Sequence, residues 1–76
     1  MQGNSKFSIH LRNLMLSNHM TAYELSQKSG ISKSYIYHMI SGKMYNPTIE
    51  VCTRLAYSLG IEVEEMLDYR SDYNEE

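Results

Sequence analysis

The stretch that decides the fold lies between residues 21 and 42 and has the sequence TAYELSQKSGISKSYIYHMISG. It begins with Thr21 and Glu24, which have the spacing of a capping box, in which each side chain bonds to the other residue's free backbone amide. Gly30 can then adopt the left-handed conformation that ends many helices, and Ser32 is a good N-cap for the next helix. The pattern predicts two short helices joined by a tight turn.

Apolar residues flank this turn on both sides. Leu25 precedes it and Ile31 lies within it, while Ile36 and Met39 follow it. This spacing is typical of two helices that cross and share one small core. The helix after the turn, over about 32–41, keeps an outer face free, so that side chains near its N-terminus can enter the major groove of DNA. The stretch therefore predicts a helix-turn-helix.

The sequence outside this motif predicts three more helices. Apolar residues recur at helical spacing over about 7–18, 48–60 and 63–68. Five short helices in one small chain predict a compact all-α fold. We expect three parts: a flexible N-terminus over 1–6, one domain over 7–68, and an acidic, disordered tail over 69–76.

The charges divide the chain into two unlike halves. Residues 1–54 hold six Lys and Arg against two Glu, a net charge of +4, whereas residues 55–76 hold one Arg against seven acidic residues, a net charge of −6. The overall charge of −2 argues against a nucleic-acid ligand, but it is the sum of two segments with opposite charge. A basic half can face phosphates while the acidic half stays away from them.

Other functional classes have little support in the sequence. His10, His19, His38 and Cys52 lack the ligand spacing of a metal site, so we expect neither a metal nor a cofactor. There is no nucleophile-turn motif or glycine-rich phosphate loop, and we expect no enzymatic activity. No apolar run is long enough to span a membrane. The lone cysteine and the lack of a secretory signal at the N-terminus predict a cytoplasmic location.

The order and spacing of several short pieces resemble the phage repressor and Cro family, also called the xenobiotic response element family. These pieces lie between about residues 11 and 67 and are MTAYELS (20–26), GIS (30–32), Ile36, SGK (41–43), NPT (46–48) and LAYSLGI (55–61). The resemblance implies a five-helix DNA-binding domain with a helix-turn-helix in its second and third helices. It also implies a small transcriptional regulator, and we expect a repressor.

Four positions depart from the family pattern. Many members have Arg where this chain has Met15 and Glu where it has Ile40, and those two residues commonly form an ion pair. Replacing both partners by apolar residues is often neutral or stabilising, so we expect Met15 and Ile40 to contact each other. The family also favours Gln where this chain has Ala22. It favours an apolar residue where this chain has Ser29, and we expect this serine to loosen the packing of the turn.

The resemblance implies which residues face the bases. They lie near the start of the third helix and are Ser32, Lys33, Ser34, Tyr37 and His38. Lys33 is the strongest candidate, because a lysine can donate to O6 and N7 of guanine. The expected ligand is therefore double-stranded DNA.

Backbone phosphates should be bound on both sides of that helix. The loop residues Lys43, Tyr45 and Asn46 occupy positions that contact phosphates in the family. Because Ala22 cannot reach a phosphate as glutamine does, Thr21 and Tyr23 or the free amides of the second helix would bind it instead. Such contacts position a domain on DNA without specifying sequence. Arg12 and Lys6 could extend this basic track.

Two further expectations concern protein partners. The family commonly pairs through its C-terminal part, so a homodimer through residues 59–67 is expected, with two recognition helices about 34 Å apart in successive major grooves. The alternative function is a protein-interaction module or an antitoxin-type partner protein, which would use the same fold and present its acidic C-terminal half, including the tail, to another protein.

Overall fold

The computed structural model describes residues 5–70, and every regular element in that range is a helix. The five helices are α1 (Lys6–Ser17), α2 (Ala22–Ser29), α3 (Lys33–Ser41), α4 (Ile49–Leu59) and α5 (Val63–Asp68). The predicted all-α fold with five helices is confirmed. The helix α1 begins one residue before the expected domain boundary at Phe7, because the Ser5 side chain caps it by accepting a hydrogen bond from the Ser8 amide.

The capping signals of the deciding stretch act as the sequence predicts. The amide of Thr21 donates to Glu24 Oε1 at 2.9 Å, and the amide of Glu24 donates to Thr21 Oγ1 at 3.1 Å. Gly30 ends α2 in the left-handed region with φ of 77°. The Ser32 hydroxyl then accepts from the Tyr35 amide at 3.1 Å and starts α3. These local features set both ends of α2 and the start of α3.

One apolar core holds the helices together. α4 packs against α2 and α5, and α3 packs against α1 and α2. The core comprises thirteen buried side chains: Phe7, Leu11, Met15, Ala22, Leu25, Ile31, Ile36, Met39, Cys52, Leu55, Ala56, Leu59 and Met66. Every one of the five helices contributes to it. The position of α3 is therefore set by contacts with its neighbours rather than by the helix-turn-helix alone.

The packed structure continues past α5. The Tyr69 ring stacks on His10 of α1 with the ring centroids 3.8 Å apart. Arg70 is only 9% exposed, and its Nη1 donates to the Pro47 carbonyl at 2.9 Å. The expectation of a disordered tail from residue 69 is thus corrected for these two residues, since an aromatic ring and a guanidinium both find partners in the fold. The rest of the expected tail, 71–76, and residues 1–4 of the expected flexible N-terminus lie outside the described residues.

The joint between α4 and α5 changes the expectation for residues 59–67. Leu59 is 4% exposed and Met66 is fully buried, so both belong to the core of this chain. Ile61, Val63 and Leu67 pack against that core and remain partly exposed. Only these three apolar side chains of the expected interface are available to a second copy.

Candidate nucleic-acid interface

The two sides of α3 have opposite characters. Ile36 and Met39 are fully buried on the inner side. All five predicted base-contacting residues, Ser32, Lys33, Ser34, Tyr37 and His38, are exposed. Each of them carries a group that can hydrogen bond to a base edge or a phosphate. The capped start of α3 is thus an exposed polar and aromatic surface.

The start of α2 lies beside the start of α3. The Lys33 Nζ atom is 5.7 Å from the centroid of the Tyr23 ring, within the range of a cation–π interaction. The Tyr23 side chain remains 59% exposed despite this contact. A residue predicted to contact a base and one predicted to contact a phosphate are therefore neighbours in space.

The capping box limits what the N-terminus of α2 can bind. Its two reciprocal bonds occupy the amides of Thr21 and Glu24 and place the Glu24 carboxylate at this helix end. A phosphate approaching the same end would be repelled by that carboxylate. The Thr21 hydroxyl is exposed and, while it accepts from Glu24, it can still donate its own proton.

The loop after α3 is held at both ends. The Met44 amide donates to the His38 carbonyl at 3.0 Å, and the Pro47 carbonyl accepts from Arg70. The predicted phosphate-contacting residues Lys43, Tyr45 and Asn46 adjoin these anchors and are all exposed. They line one shallow surface cleft together with Met44. The loop thus presents a lysine, a phenol and an amide in a restrained conformation.

The turn between α2 and α3 is held by hydrogen bonds that the sequence analysis missed. The Ser26 hydroxyl donates to the Ile31 carbonyl at 2.7 Å, and the Ser29 hydroxyl accepts from the Ile31 amide at 3.1 Å. The polar residue at position 29 therefore bonds within the turn instead of loosening it. A serine two residues before a turn amide was the local signal for this bond.

Arg54 of α4 supports the same turn from outside. Its Nη1 donates to the Ser29 carbonyl at 3.1 Å, and its Nη2 lies 3.1 Å from Glu50 Oε2. A Cβ atom placed on Gly30 would lie 3.0 Å from the Arg54 Nη1 atom. Glycine at this position therefore permits both the left-handed turn and the close approach of the guanidinium.

The side chains of Met15 and Ile40 line one cleft between α1 and the end of α3. Met15 is buried and Ile40 is partly buried, so neither is in solvent, as the expected contact between them requires. The remaining lining residues are Arg12, Asn13, Leu16 and Met20. Arg12 was expected to extend the basic track on DNA, but its Nη1 donates to the Ile40 carbonyl at 2.7 Å.

A comparison with protein-family models identifies the chain. The model described as the Cro/C1-type HTH DNA-binding domain matches residues 10–72, which include the motif and all five helices except the first turn of α1. The chain belongs to this family. A search of curated proteins found no match. Membership in the Cro/C1-type family confirms the resemblance drawn from the sequence, and it makes DNA binding and transcription regulation the general role of the domain.

Two further features of the described residues concern metal ions and membranes. Between residues 5 and 70, no three His, Cys, Asp or Glu side chains are grouped so that they could hold a metal ion. In the same range, no helix of this Cro/C1-type domain has the length and hydropathy needed to cross a membrane.

The Cys52 thiol is fully buried, and burial raises its pKa above the ordinary value of 9.0 although the Arg70 charge opposes the shift.

Proposed function

We propose that this Cro/C1-type domain binds double-stranded DNA in a sequence-specific manner and represses transcription, with α3 in the major groove. The observation that carries the proposal is the contrast between the two sides of α3. Its inner side is sealed in the core, while five side chains able to contact bases are exposed around its capped start. A helix presented in this way fits the width and depth of the major groove.

Each exposed side chain has a chemical role at a base edge. Lys33 can donate to guanine, and Ser32 and Ser34 can donate or accept. The Ser32 hydroxyl accepts from the Tyr35 amide, which leaves its proton free for a base. Tyr37 can contact a thymine methyl, and His38 can donate or accept according to its protonation state.

Phosphate contacts are proposed on both sides of these bases. Thr21 and Tyr23 would bind one phosphate at the start of α2, with the phenol favoured because the Glu24 carboxylate opposes an anion at the helix end. The exposed loop residues Lys43, Tyr45 and Asn46 would bind phosphates beyond the other end of α3. Such contacts fix the orientation of α3 without reading the sequence.

We also propose that the domain acts as a homodimer on a near-palindromic site, with half-sites about 34 Å apart. The partly exposed Ile61, Val63 and Leu67 provide the apolar contacts between the copies. Analytical ultracentrifugation tests this part. A monomer at the highest soluble concentration, both free and on a two-half-site duplex, would refute the dimer.

Selection of bound sequences from a random duplex pool tests DNA recognition. We expect enrichment of a near-palindrome and an affinity whose logarithm falls linearly with the logarithm of the salt concentration. If neither the pool nor random duplex DNA binds at low salt, the proposed function is wrong and the protein-interaction alternative gains support. A reporter gene carrying the selected site at its promoter tests repression, which requires that expression of the protein lowers the reporter signal.

A further inference from the structure

Arg12 links α1 to the end of the recognition helix. Its Nη1 atom donates to the Ile40 carbonyl at 2.7 Å across 28 residues of sequence. A bond this short is typical of a charge-assisted hydrogen bond. The Arg12 side chain is partly buried, so water competes less for this hydrogen bond.

The carbonyls at the end of α3 explain why this bond matters. The last turn of a helix has carbonyls without partners inside the helix. The His38 carbonyl accepts from the Met44 amide and the Met39 carbonyl from the Gly42 amide. Arg12 supplies a donor for the Ile40 carbonyl, and its positive charge complements the negative end of the helix dipole.

The cleft beside this bond is lined by two apolar residues, Met15 of α1 and Ile40 of α3. Neither apolar side chain can supply an ion pair or a strong hydrogen bond between the two helices. Arg12 lies one helical turn before Met15, so both residues are on the side of α1 that faces α3. The bond from Arg12 connects the same two helices through a backbone atom.

We propose that Arg12 is a positioning residue for DNA recognition, which acts by fixing the end of α3 through Ile40 and does not bind a phosphate. This inference rests on the proposed function, because it concerns how α3 is held while it lies in the groove. It separates Arg12 from the lysines of the basic half, whose ammonium groups are exposed. The residues concerned are Lys6, Lys28, Lys33 and Lys43.

The salt dependence of DNA binding distinguishes the two roles. Arg12→Gln should weaken binding to the selected site about tenfold at fixed salt, while the slope of log affinity against log salt stays that of the wild type. Lys28→Gln removes the same charge from an exposed position outside the proposed interface and should change neither value. A slope reduced by about 0.9 in Arg12→Gln, as for one lost phosphate contact, would overturn the proposal. An unchanged affinity would also overturn it.

Hydrogen exchange in the free protein tests the bond without DNA. The amides of Gly42 and Met44, which close the end of α3, should exchange faster in Arg12→Gln than in the wild type or Lys28→Gln. Arg12→Lys keeps the charge but loses the planar guanidinium, so its increase in exchange rate over the wild type should be smaller than that of Arg12→Gln. It serves as the test variant if Arg12→Gln does not fold. Equal exchange at these amides in the wild type and in Arg12→Lys would contradict the proposal. This measurement stays decisive about Arg12 even if the wild type binds no DNA.

Discussion

The Lys33 ammonium lies 5.7 Å from the centroid of the Tyr23 ring, so α2 supplies an aromatic surface for a side chain of α3. A lysine has a flexible stem whose rotamer freedom must be lost before it can bind a base. A ring beside it reduces the number of positions that the ammonium samples in the free protein. Tyr23 is thus expected to assist base recognition in addition to binding a phosphate.

Lys33→Ala should relax preference at one base pair of each half-site. A good contact from lysine to guanine is worth about 1–3 kcal/mol of discrimination, so single-base variants at that position should bind almost as well as the selected site. Competition binding with a set of singly substituted duplexes measures this. If all positions lose discrimination equally, Lys33 contacts phosphate rather than a base.

Two substitutions at Tyr23 separate its ring from its hydroxyl. Tyr23→Phe keeps the ring and should weaken binding to all duplexes alike, because only a phosphate contact is lost. Tyr23→Leu removes the ring as well and should further lower discrimination at the base pair read by Lys33, by about 0.5–1 kcal/mol, as for an exposed cation–π pair. The same duplex set measures both effects. Identical discrimination in the two variants would mean that the ring does not order Lys33.

Lys43→Ala should weaken binding to the selected site and to random DNA by the same factor. Lys43 is exposed in the loop after α3, where a phosphate contact carries no sequence information. The slope of log affinity against log salt should fall by about 0.9. Titrations at four or more salt concentrations measure it, with Lys28→Ala as the control for loss of charge alone. A selective loss on the specific site would contradict this role.

Gly30→Ala should destabilise the fold more than Gly60→Ala. Both glycines have left-handed backbones, with φ of 77° and 72°, so alanine costs about 1–2 kcal/mol at either position. Only at Gly30 would the new Cβ lie 3.0 Å from Arg54 Nη1, whereas nothing lies within 4 Å at Gly60. Displacement of Arg54 should cost about 1 kcal/mol more through its bond to Ser29. Urea unfolding compares the two variants, and equal losses would mean that Arg54 adds little to the turn.

The Cys52 thiol should make the fold less stable in alkaline solution. Burial raises the pKa of this thiol in the folded state, so the folded chain resists deprotonation more than the unfolded chain does. Stability is therefore unaffected below the unfolded-state pKa and is lost as the pH rises through the folded-state pKa. The free energy of unfolding of the wild type should fall more steeply above about pH 9 than that of Cys52→Ala. Parallel pH profiles of the two proteins would contradict this.

Much of the fold could be predicted because its signals are local. The capping box of Thr21 and Glu24 involves groups three residues apart, and Gly30 and Ser32 act on the adjacent backbone. Apolar periodicity identified the buried sides of the helices, and an exposed start of α3 follows from that periodicity. The prediction of a loosened turn at Ser29 was wrong, because its hydroxyl accepts a hydrogen bond from the Ile31 amide within the turn.

Contacts between distant parts of the chain could not be predicted in the same way. Arg12 was expected to extend the basic track on DNA, and no local pattern singled out Arg54. Each nevertheless donates to a backbone carbonyl more than twenty residues away. Tyr69 and Arg70 looked like the start of an unstructured tail, because their partners, His10 and Pro47, lie far back in the sequence.

The sequence by itself determined five helices, the caps at Thr21 and Ser32, and an exposed start of the third helix, because these depend on hydrogen bonds and periodicity within a few residues. Only the tertiary structure decided which cations bond within the fold and what holds the two ends of α3. A charged side chain forms a hydrogen bond within the fold when packing brings a carbonyl within its reach, and that distance depends on how the helices cross. Residues 21–42 thus specify where α3 begins and which of its sides is exposed, and the rest of the fold specifies how firmly this helix is held.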